Sequence, residues 1–143
     1  MDSARETAAA AAADEVRAFV ATHPNARAYT SLGQLRYLSA MRHVDGVVGN
    51  SSSGLLEAPS LATGTVNIGD RQAGRLRAES VIDCATDRGA IAAALDRLFS
   101  AEFRATLPGT INPYGAPGAS DRIVEHLAQA SLDGIVKKRF HDL

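Results

Sequence analysis

Three short runs rich in β-branched residues recur along the middle of this chain, at residues 44–49, 65–68 and 80–83. Glycine or turn-forming residues bound them, and about 15–20 residues separate the start of one run from the next. Short strands that alternate with helices favour parallel β-α-β units with right-handed crossovers. We therefore predict an α/β fold in which flanking helices cover both faces of a parallel sheet.

Apolar residues at helical spacing fill most of the chain around these runs. The predicted helices occupy residues 3–22, 33–43, 52–62, 87–99 and 121–140. Pro59 interrupts the third of them, and a fourth strand is predicted near residues 26–30. Parallel sheets bind ligands at the carboxyl ends of their strands, so we expect the chemistry in the loops that follow the three runs.

The composition excludes several classes of protein. The 143 residues suffice for one ordinary domain and carry 15 Lys and Arg against 16 Asp and Glu, a net charge of −1. Without an overall positive field, we expect neither nucleic acid nor an anionic membrane as a partner. The single cysteine, Cys84, excludes an intramolecular disulfide framework and a cysteine-rich metal site.

The chain also lacks the signals of export or membrane insertion. Its longest apolar run, residues 8–13, is far below the roughly 20 residues that a membrane span needs. The acidic amino terminus has neither the basic start nor the apolar stretch of a secretory signal. We therefore expect a cytoplasmic protein.

The most informative segment is Gly49-Asn50-Ser51-Ser52-Ser53-Gly54, which follows a predicted strand and opens a helix. Small residues let backbone N–H groups approach an anion, and the hydroxyl groups add donors, so this segment could hold a phosphate or diphosphate. An ordinary serine N-cap is the alternative, since such caps are common. Glu57, about one turn further on, could accept from a ribose diol or simply complement the helix dipole at the surface.

A second segment, residues 66–77, runs from a predicted strand into a loop that contains glycines and carries Arg71, Arg75 and Arg77. Guanidinium groups bind phosphate in a planar fork, so these arginines could close over the same anion. A solvated charged loop is the alternative. The third segment, residues 112–115, has the composition of a turn, and on its own we interpret it as structural.

No residue pattern points to a catalytic triad or to a metal site. The spacing of His23, His43, His126 and His141 is typical of neither. The serine segment departs from the Gly-x-Ser-x-Gly elbow of hydrolases, because position 50 is Asn. We therefore assign no catalytic residue, no metal and no cofactor to this chain.

In content and order, these segments resemble one known family. The resemblance is carried by Ser31-Leu32-Gly33-Gln34-Leu35-Arg36-Tyr37-Leu38, the serine segment with Glu57-Ala58-Pro59, Gly69-Asp70-Arg71-Gln72 and Asn112-Pro113-Tyr114-Gly115. From about residue 23 to residue 130, the chain is similar to the carboxyl-terminal half of a UDP-N-acetylglucosamine 2-epimerase. The Gly-Asp-Arg-Gln-x-Gly-Arg motif resembles that of the hydrolysing branch of the family, which releases N-acetylmannosamine.

The resemblance implies a Rossmann-like sheet that is part of the carboxyl-terminal domain of a two-domain, glycosyltransferase-B-like enzyme. Residues 1–143 would form a single, truncated UDP-binding domain, with residues 1–22 as a poorly matching amino-terminal helix. We expect this truncation to expose apolar surface and to cause self-association. For the full-length family, the resemblance also implies a homo-oligomer.

By the same resemblance, five positions would bind UDP or UDP-N-acetylglucosamine. Ser51 and Ser52 match the family's diphosphate-binding serines, and Glu57 matches the carboxylate on the ribose hydroxyls. Leu32 matches the position whose backbone meets uracil, and Arg71 matches an arginine beside the diphosphate or the sugar.

The activity that the resemblance implies is the conversion of UDP-N-acetylglucosamine to N-acetylmannosamine and UDP, in the synthesis of sialic acid or a related surface sugar. In that family, a base removes the proton from sugar C2 as UDP departs, and water then attacks the unsaturated sugar. The acids for this step match no position of this sequence, so we expect the chain to supply the UDP-binding half. A catalytically inactive UDP-binding fragment and a UDP-sugar glycosyltransferase domain are the alternatives.

Overall fold

A computed structural model describes residues 3–134 and 136 of the chain, and the side chains among these from residue 10 onward. The chain divides into two compact units, Met1–Ala40 and Met41–Leu143. The first unit contains one long helix and most of a second helix, and the second unit contains the sheet.

The first unit begins with α1, Ser3–Thr22, which confirms the first predicted helix. Its apolar stripe remains largely open to solvent, since Val16 and Phe19 are 52% and 55% exposed. The Phe19 ring instead stacks on the ring of His23, with the two centroids 3.7 Å apart, where the helix ends. Helix α2, Gly33–Met41, confirms the second predicted helix and ends just before the expected residue 43.

The predicted strand near residues 26–30 is wrong, because the described structure has no strand there. The segment turns back on itself: the Ala26 N–H donates to the His23 carbonyl at 2.9 Å. The Arg27 guanidinium then donates to the carbonyls of Pro24 and Ala26 at 2.6 and 2.7 Å. Among the described residues, no strand pairs with residues 26–30, so this segment has no neighbour with which to form a β-ladder.

The second unit contains a parallel sheet of three strands, in the order β1-β2-β3. The strands are β1 Val47–Gly49, β2 Thr65–Ile68 and β3 Val81–Cys84. They pair so that Val48 lies beside Val66 and Val66 beside Ile82. The predicted α/β fold with a parallel sheet is confirmed. Among the described residues, the sheet has three strands and not the expected four.

Helices follow the strands in the predicted alternation. They are α3 Ser53–Leu56, α4 Arg88–Phe99, α5 Ala101–Thr106 and α6 Ala119–Gln129, with 3₁₀ turns at Ala58–Leu61 and Leu107–Gly109. The predicted interruption at Pro59 is where α3 gives way to the first 3₁₀ turn. Among the helices that the structure describes, none combines the length and the apolarity that a membrane span requires.

Strand β2 is the centre of the core in this unit. Val66 is fully buried and packs with Leu98 of α4 and Phe103 of α5. Its neighbour Thr65, 2% exposed, points to the opposite face and donates its hydroxyl to the carbonyl of Gly54 in α3. Since successive side chains of a strand alternate between faces, the flanking helices cover both sides of the sheet, as predicted.

The carboxyl-terminal part of the chain differs from the prediction in the end of α6 and in an additional helix, α5. Helix α6 ends at Gln129, because Ala130 is extended and the Ser131 hydroxyl then accepts from the Asp133 N–H at 3.2 Å in a turn. Residues 135 and 137–140 of the predicted helix lie outside the described residues. The sequence pattern does not predict α5, which begins because the Ser100 hydroxyl accepts from the Phe103 N–H at 3.2 Å and caps a new helix.

Candidate functional site

The serine loop, residues 50–53, lies at the carboxyl end of β1 and opens α3. Ser52 is the N-cap residue of α3, yet its side chain makes no capping hydrogen bond. The Ser51 hydroxyl accepts from the Ser53 N–H only at the long distance of 3.4 Å. Among the hydrogen bonds of the described residues, none is donated by the backbone N–H of Ser51 or Ser52. The loop therefore keeps donors that a ligand could use.

Helix α3 itself contributes little to anion binding. It has four residues, Ser53–Leu56, and a 3₁₀ turn, Ala58–Leu61, follows it almost at once. Few peptide dipoles therefore align behind the serine loop, and the dipole expected from the sequence is weak. An anion in this loop would depend on hydroxyl and N–H groups.

Gly54 seats the start of α3 closely on the central strand. Its carbonyl accepts a buried hydrogen bond from the Thr65 hydroxyl at 3.0 Å. A Cβ added at Gly54 would lie 2.5 Å from the Thr65 Cγ2 atom, closer than two carbon atoms approach without a bond. The position of the serine loop therefore depends on glycine at this residue.

The arginine loop, residues 69–77, follows β2 and reaches back to the serine loop. The side chain of Gln72, 3% exposed, donates from Nε2 to the carbonyl of Asn50 at 2.7 Å. The exposed Arg71 donates from Nη1 to the carbonyl and to the Oδ1 atom of Asn50 at 3.4 and 3.3 Å. Asn50 thus joins the two loops and brings Arg71 next to the residue that precedes Ser51.

The three arginines of this loop have different partners. Arg71 uses only Nη1 among the described residues, and the side chain of Arg75 makes no hydrogen bond or ion pair within them. Arg77, in contrast, uses all three guanidinium nitrogens: Nε contacts Asp83 at 2.6 Å, and Nη1 and Nη2 donate to the carbonyls of Arg75 and Gln72. Arg71 and Arg75 can therefore turn to a ligand, whereas Arg77 is held by the protein.

Glu57 lies one turn beyond the serine loop, at the carboxyl end of α3. The residue is partly buried, and its Oε2 atom is inaccessible to solvent and has no hydrogen-bond partner among the residues that the structure describes. Leaving a buried carboxylate oxygen without a donor costs free energy, so such an atom is where a ligand hydroxyl would be favoured. This arrangement differs from that of an ordinary surface glutamate.

Residues 112–115 make hydrogen bonds to α3, to the 3₁₀ turn that follows it and to the arginine loop. The side chain of Asn112 donates from Nδ2 to the Leu56 carbonyl at 2.8 Å and to the Ser60 hydroxyl at 2.6 Å. The Tyr114 hydroxyl donates to the carbonyl of Leu76, in the arginine loop, at 3.1 Å. This segment therefore connects α3 with the arginine loop.

Leu32 lies in the first unit, immediately before α2, and is half-buried. It lines a cavity of about 510 Å³ to which Tyr29 and Tyr37 also contribute. Aromatic residues suit a flat nucleobase, because a base can stack on their rings. Of the five expected positions, the second unit thus contains Ser51, Ser52, Glu57 and Arg71, and the first unit contains Leu32.

The residues that join the loops, Asn50 and Gln72, were not among the expected site positions. A signal for them was present in the sequence, since both are polar and both follow neighbouring parallel strands. The carboxyl ends of such strands meet at one edge of a sheet, so side chains in their loops come within reach of one another.

Of the three acidic residues near strand ends, Asp45, Asp70 and Asp83, two already have side-chain partners. Asp45 accepts from Arg104 at 2.8 Å. Asp83 accepts from the Asn67 side chain and from Arg77, each at 2.6 Å. The described residues include no cluster of three His, Cys, Asp or Glu side chains that could hold a metal ion. The loops can therefore bind an anion, but these two acids are not free to transfer protons.

Cys84 ends β3 on the same edge of the sheet. Burial raises the pKa of its thiol, and the carboxylates of Asp87 and Asp83 raise it further. Both effects favour the neutral form, so the thiol is protonated near neutral pH and is a weak nucleophile. Nothing in this environment indicates a catalytic cysteine.

Comparison with known proteins shows which family this chain is similar to. The family model described as UDP-N-acetylglucosamine 2-epimerase matches residues 5–128. The matched range contains the serine loop, the arginine loop, residues 112–115 and Leu32. It begins at residue 5, whereas the motifs described above resemble the family only from about residue 23.

Three relatives of known name are similar to this chain. A GDP/UDP-N,N'-diacetylbacillosamine 2-epimerase (hydrolyzing) of Campylobacter jejuni is 39% identical over 119 residues, 82% of this chain. The polysialic acid biosynthesis protein P7 of Escherichia coli is 44% identical over 78 residues, 54% of this chain. A UDP-N,N'-diacetylbacillosamine 2-epimerase (hydrolyzing) of Legionella pneumophila is 39% identical over 61 residues, 43% of this chain. The aligned parts cover 30%, 20% and 16% of those relatives.

Proposed function

Because this chain belongs to the UDP-N-acetylglucosamine 2-epimerase family, we propose that it binds the UDP part of a nucleotide-sugar. The observation that carries this proposal is the junction at Asn50, where Gln72 and Arg71 of the arginine loop donate to the residue before Ser51. It brings hydroxyl groups, free N–H groups and a guanidinium to one edge of the sheet. Such a set of donors is suited to a diphosphate.

The diphosphate is assigned to the serine loop and Arg71. The hydroxyls of Ser51 and Ser52 and the unbonded N–H groups of the same residues can each donate to a phosphate oxygen. Arg71 has guanidinium nitrogens that no described residue occupies. A hydrogen bond to a charged group is worth about 1.5–3 kcal/mol, so a few of these contacts account for micromolar binding.

The family motifs assign the ribose to Glu57 and, separately, uracil to Leu32. The Glu57 carboxylate, whose Oε2 atom has no partner among the described residues, is the proposed acceptor for a ribose hydroxyl. Tyr29 and Tyr37, which line the same cavity as Leu32, offer rings on which uracil can stack. These two assignments rest on the family motifs together with the local geometry of each residue.

For the whole protein, we propose a hydrolysing 2-epimerase that converts UDP-N-acetylglucosamine to N-acetylmannosamine and UDP. Two of the relatives are named as hydrolysing 2-epimerases, and a third is named for polysialic acid biosynthesis, which supports a role in sialic acid or a related surface sugar. A cytoplasmic homo-oligomer is part of this proposal. We assign the UDP-binding half to this chain, because the acids that the family uses for proton transfer match no position of this sequence.

Calorimetric titration of the 143-residue chain with UDP and UMP tests the proposal. We expect UDP to bind at least tenfold more tightly than UMP, because UMP lacks the second phosphate. The double variant Ser51→Ala, Ser52→Ala should lose at least tenfold in UDP affinity and little in UMP affinity, since each lost donor is worth about 1.5–3 kcal/mol.

Two further variants sharpen this test. Glu57→Gln should weaken UDP and UMP equally, because both nucleotides carry the ribose. Ser120→Ala, in α6, removes a serine hydroxyl outside the three loops and should leave both affinities unchanged. Equal binding of UDP and UMP, or an unchanged UDP affinity in the serine double variant, would contradict the proposed site.

A further inference from the structure

We propose that Arg77 and Asp83 are positioning residues for the diphosphate site. In this proposal, which rests on the proposed function, they hold the arginine loop in the conformation that brings Arg71 and Gln72 to Asn50. Neither residue belongs to the five positions that the family motifs assign to UDP. The inference follows from how the guanidinium of Arg77 is occupied.

Arg77 clamps the backbone of its own loop. Its Nη1 atom donates to the Arg75 carbonyl at 2.7 Å, and its Nη2 atom donates to the Gln72 carbonyl at 3.3 Å. These carbonyls lie on either side of Gly74, which has a φ of +78°. Two backbone hydrogen bonds form turns within this loop, from the Ala73 N–H to the Asp70 carbonyl at 2.7 Å and from the Arg75 N–H to the Gln72 carbonyl at 3.3 Å. A planar guanidinium that binds two of the loop's carbonyls restricts its shape further.

Asp83 anchors this clamp to the sheet. Its Oδ2 atom contacts Arg77 Nε at 2.6 Å, and its Oδ1 atom accepts from the Asn67 side chain at 2.6 Å. Asn67 is 1% exposed and lies directly beside Asp83 in the pairing of β2 with β3. A fully buried side chain of the central strand therefore fixes the carboxylate, and the carboxylate fixes the arginine.

The clamp ends at the residues that reach the serine loop. Arg77 binds the carbonyl of Gln72, and the side chain of Gln72 binds the carbonyl of Asn50. Arg71 is the residue before Gln72, so the direction of its side chain depends on the same backbone. Each guanidinium nitrogen of Arg77 already contacts a protein oxygen, so we assign its effect on a diphosphate to the positions of Arg71 and Gln72.

A double-mutant cycle on the full chain tests this proposal. UDP and UMP are titrated against the unchanged chain, Arg77→Met, Arg71→Met and the variant that carries both changes. We expect Arg77→Met to lower UDP affinity by about tenfold and to change UMP affinity less than about twofold. In the Arg71→Met background, Arg77→Met should cause a much smaller further loss, because the two residues act on the same contact. Asp83→Ala should behave as Arg77→Met does.

Two variants control for charge and for folding. Arg104→Met breaks a second ion pair among the described residues of this unit, between Arg104 and Asp45, and should leave UDP affinity unchanged. Arg77→Lys keeps the charge opposite Asp83 but cannot bind two carbonyls with one fork, so it should also weaken UDP. If chemical unfolding shows that Arg77→Met is not folded, the UDP affinity of Arg77→Lys tests the positioning role instead.

The outcomes separate this proposal from the proposed function. If the unchanged chain does not bind UDP, the proposed function is wrong. If the unchanged chain binds UDP and the folded Arg77 variants bind it equally well, the positioning role is wrong. It is also wrong if UDP and UMP weaken together, or if the losses from Arg77→Met and Arg71→Met multiply in the double variant.

Discussion

The Thr65 side chain contacts Gly54 with both of its branches. Its hydroxyl donates to the Gly54 carbonyl at 3.0 Å, and its Cγ2 methyl would lie 2.5 Å from a Cβ atom at residue 54. The hydrogen bond and the methyl group together determine how closely the serine loop sits on β2. The absence of a side chain at Gly54 is therefore a requirement of packing.

We expect Gly54→Ala to destabilise the chain by about 1–3 kcal/mol, because the added methyl overlaps the buried Thr65 side chain. In a Thr65→Ser background the same change should cost much less, since serine keeps the hydroxyl and removes the methyl. Chemical unfolding of the four chains of this cycle measures the coupling.

The matched control for this cycle is Gly109→Ala. A Cβ at Gly109 would contact nothing within 4 Å, so the free energy of unfolding of the Gly109→Ala variant should differ little from that of the unchanged chain. An equal cost of Gly54→Ala in the unchanged chain and in the Thr65→Ser variant would show that the methyl contact does not set this geometry.

The second prediction concerns the thiol of Cys84, whose pKa is raised by burial and by the carboxylates of Asp87 and Asp83. At pH 7.5 the folded chain should react with iodoacetamide more slowly than the unfolded chain, because less thiolate is present. The rate should still be rising with pH above about 8.5, where an ordinary thiol begins to level off.

Asp87→Asn should increase this labelling rate a few-fold at fixed pH, because it removes one of the charges that oppose the thiolate and keeps an N-cap residue for α4. Asp96→Asn, elsewhere in α4, is the charge-matched control and should not change the rate. A Cys84 rate equal to that of the unfolded chain at every pH would contradict the raised pKa.

The third prediction is that this chain alone does not turn over a nucleotide-sugar. General acid-base catalysis needs groups that are free to exchange protons with the reacting sugar. Asp45, Asp70 and Asp83 lie near strand ends without a matching role in the family, and the carboxylates of Asp45 and Asp83 are also held by Arg104 and Arg77. We therefore expect no UDP release from UDP-N-acetylglucosamine above the background of Ser51→Ala, Ser52→Ala, as measured by a coupled UDP assay. Release that exceeds this background would show that the chain contains its own proton-transfer groups.

The fourth prediction is self-association at micromolar concentration. Large apolar side chains of the second unit remain exposed: Val48 is 51% exposed, Ile111 83% and Leu127 66%. Val48 also lies on β1, an edge strand of the described sheet, where unpaired backbone groups can pair with another chain. Sedimentation velocity should show assemblies that grow with concentration, and the unfolding midpoint should shift with concentration too.

Substitutions can locate the surface that associates. Val48→Lys should reduce the association if the edge of β1 is the contact, whereas Leu127→Lys should reduce it if α6 is the contact. A monodisperse monomer with a concentration-independent unfolding transition would contradict the prediction that these exposed apolar residues cause self-association.

Local patterns were sufficient for most of the fold. The runs at residues 65–68 and 80–83 are strands because β-branched residues suit a buried, pleated backbone, and Asp87 begins α4 because its side chain accepts from the Ala90 N–H at 2.9 Å. The predicted strand near residues 26–30 failed for a non-local reason. Whether an extended segment becomes a strand depends on a neighbour to pair with, and a short window of sequence does not contain that neighbour.

In the candidate site, too, some features follow from the sequence and others only from the tertiary structure. The sequence by itself determined which residue types stand in the serine and arginine loops and, through the family motifs, which of them to examine. Only the tertiary structure decided that Arg77 is bound to Asp83 and to two carbonyls while Arg71 keeps free nitrogens, although both are arginines of one loop. Residue type determines which groups a side chain can bond to. The partner of Arg77 depends in addition on the register of β2 against β3, which places Asn67 and Asp83 side by side.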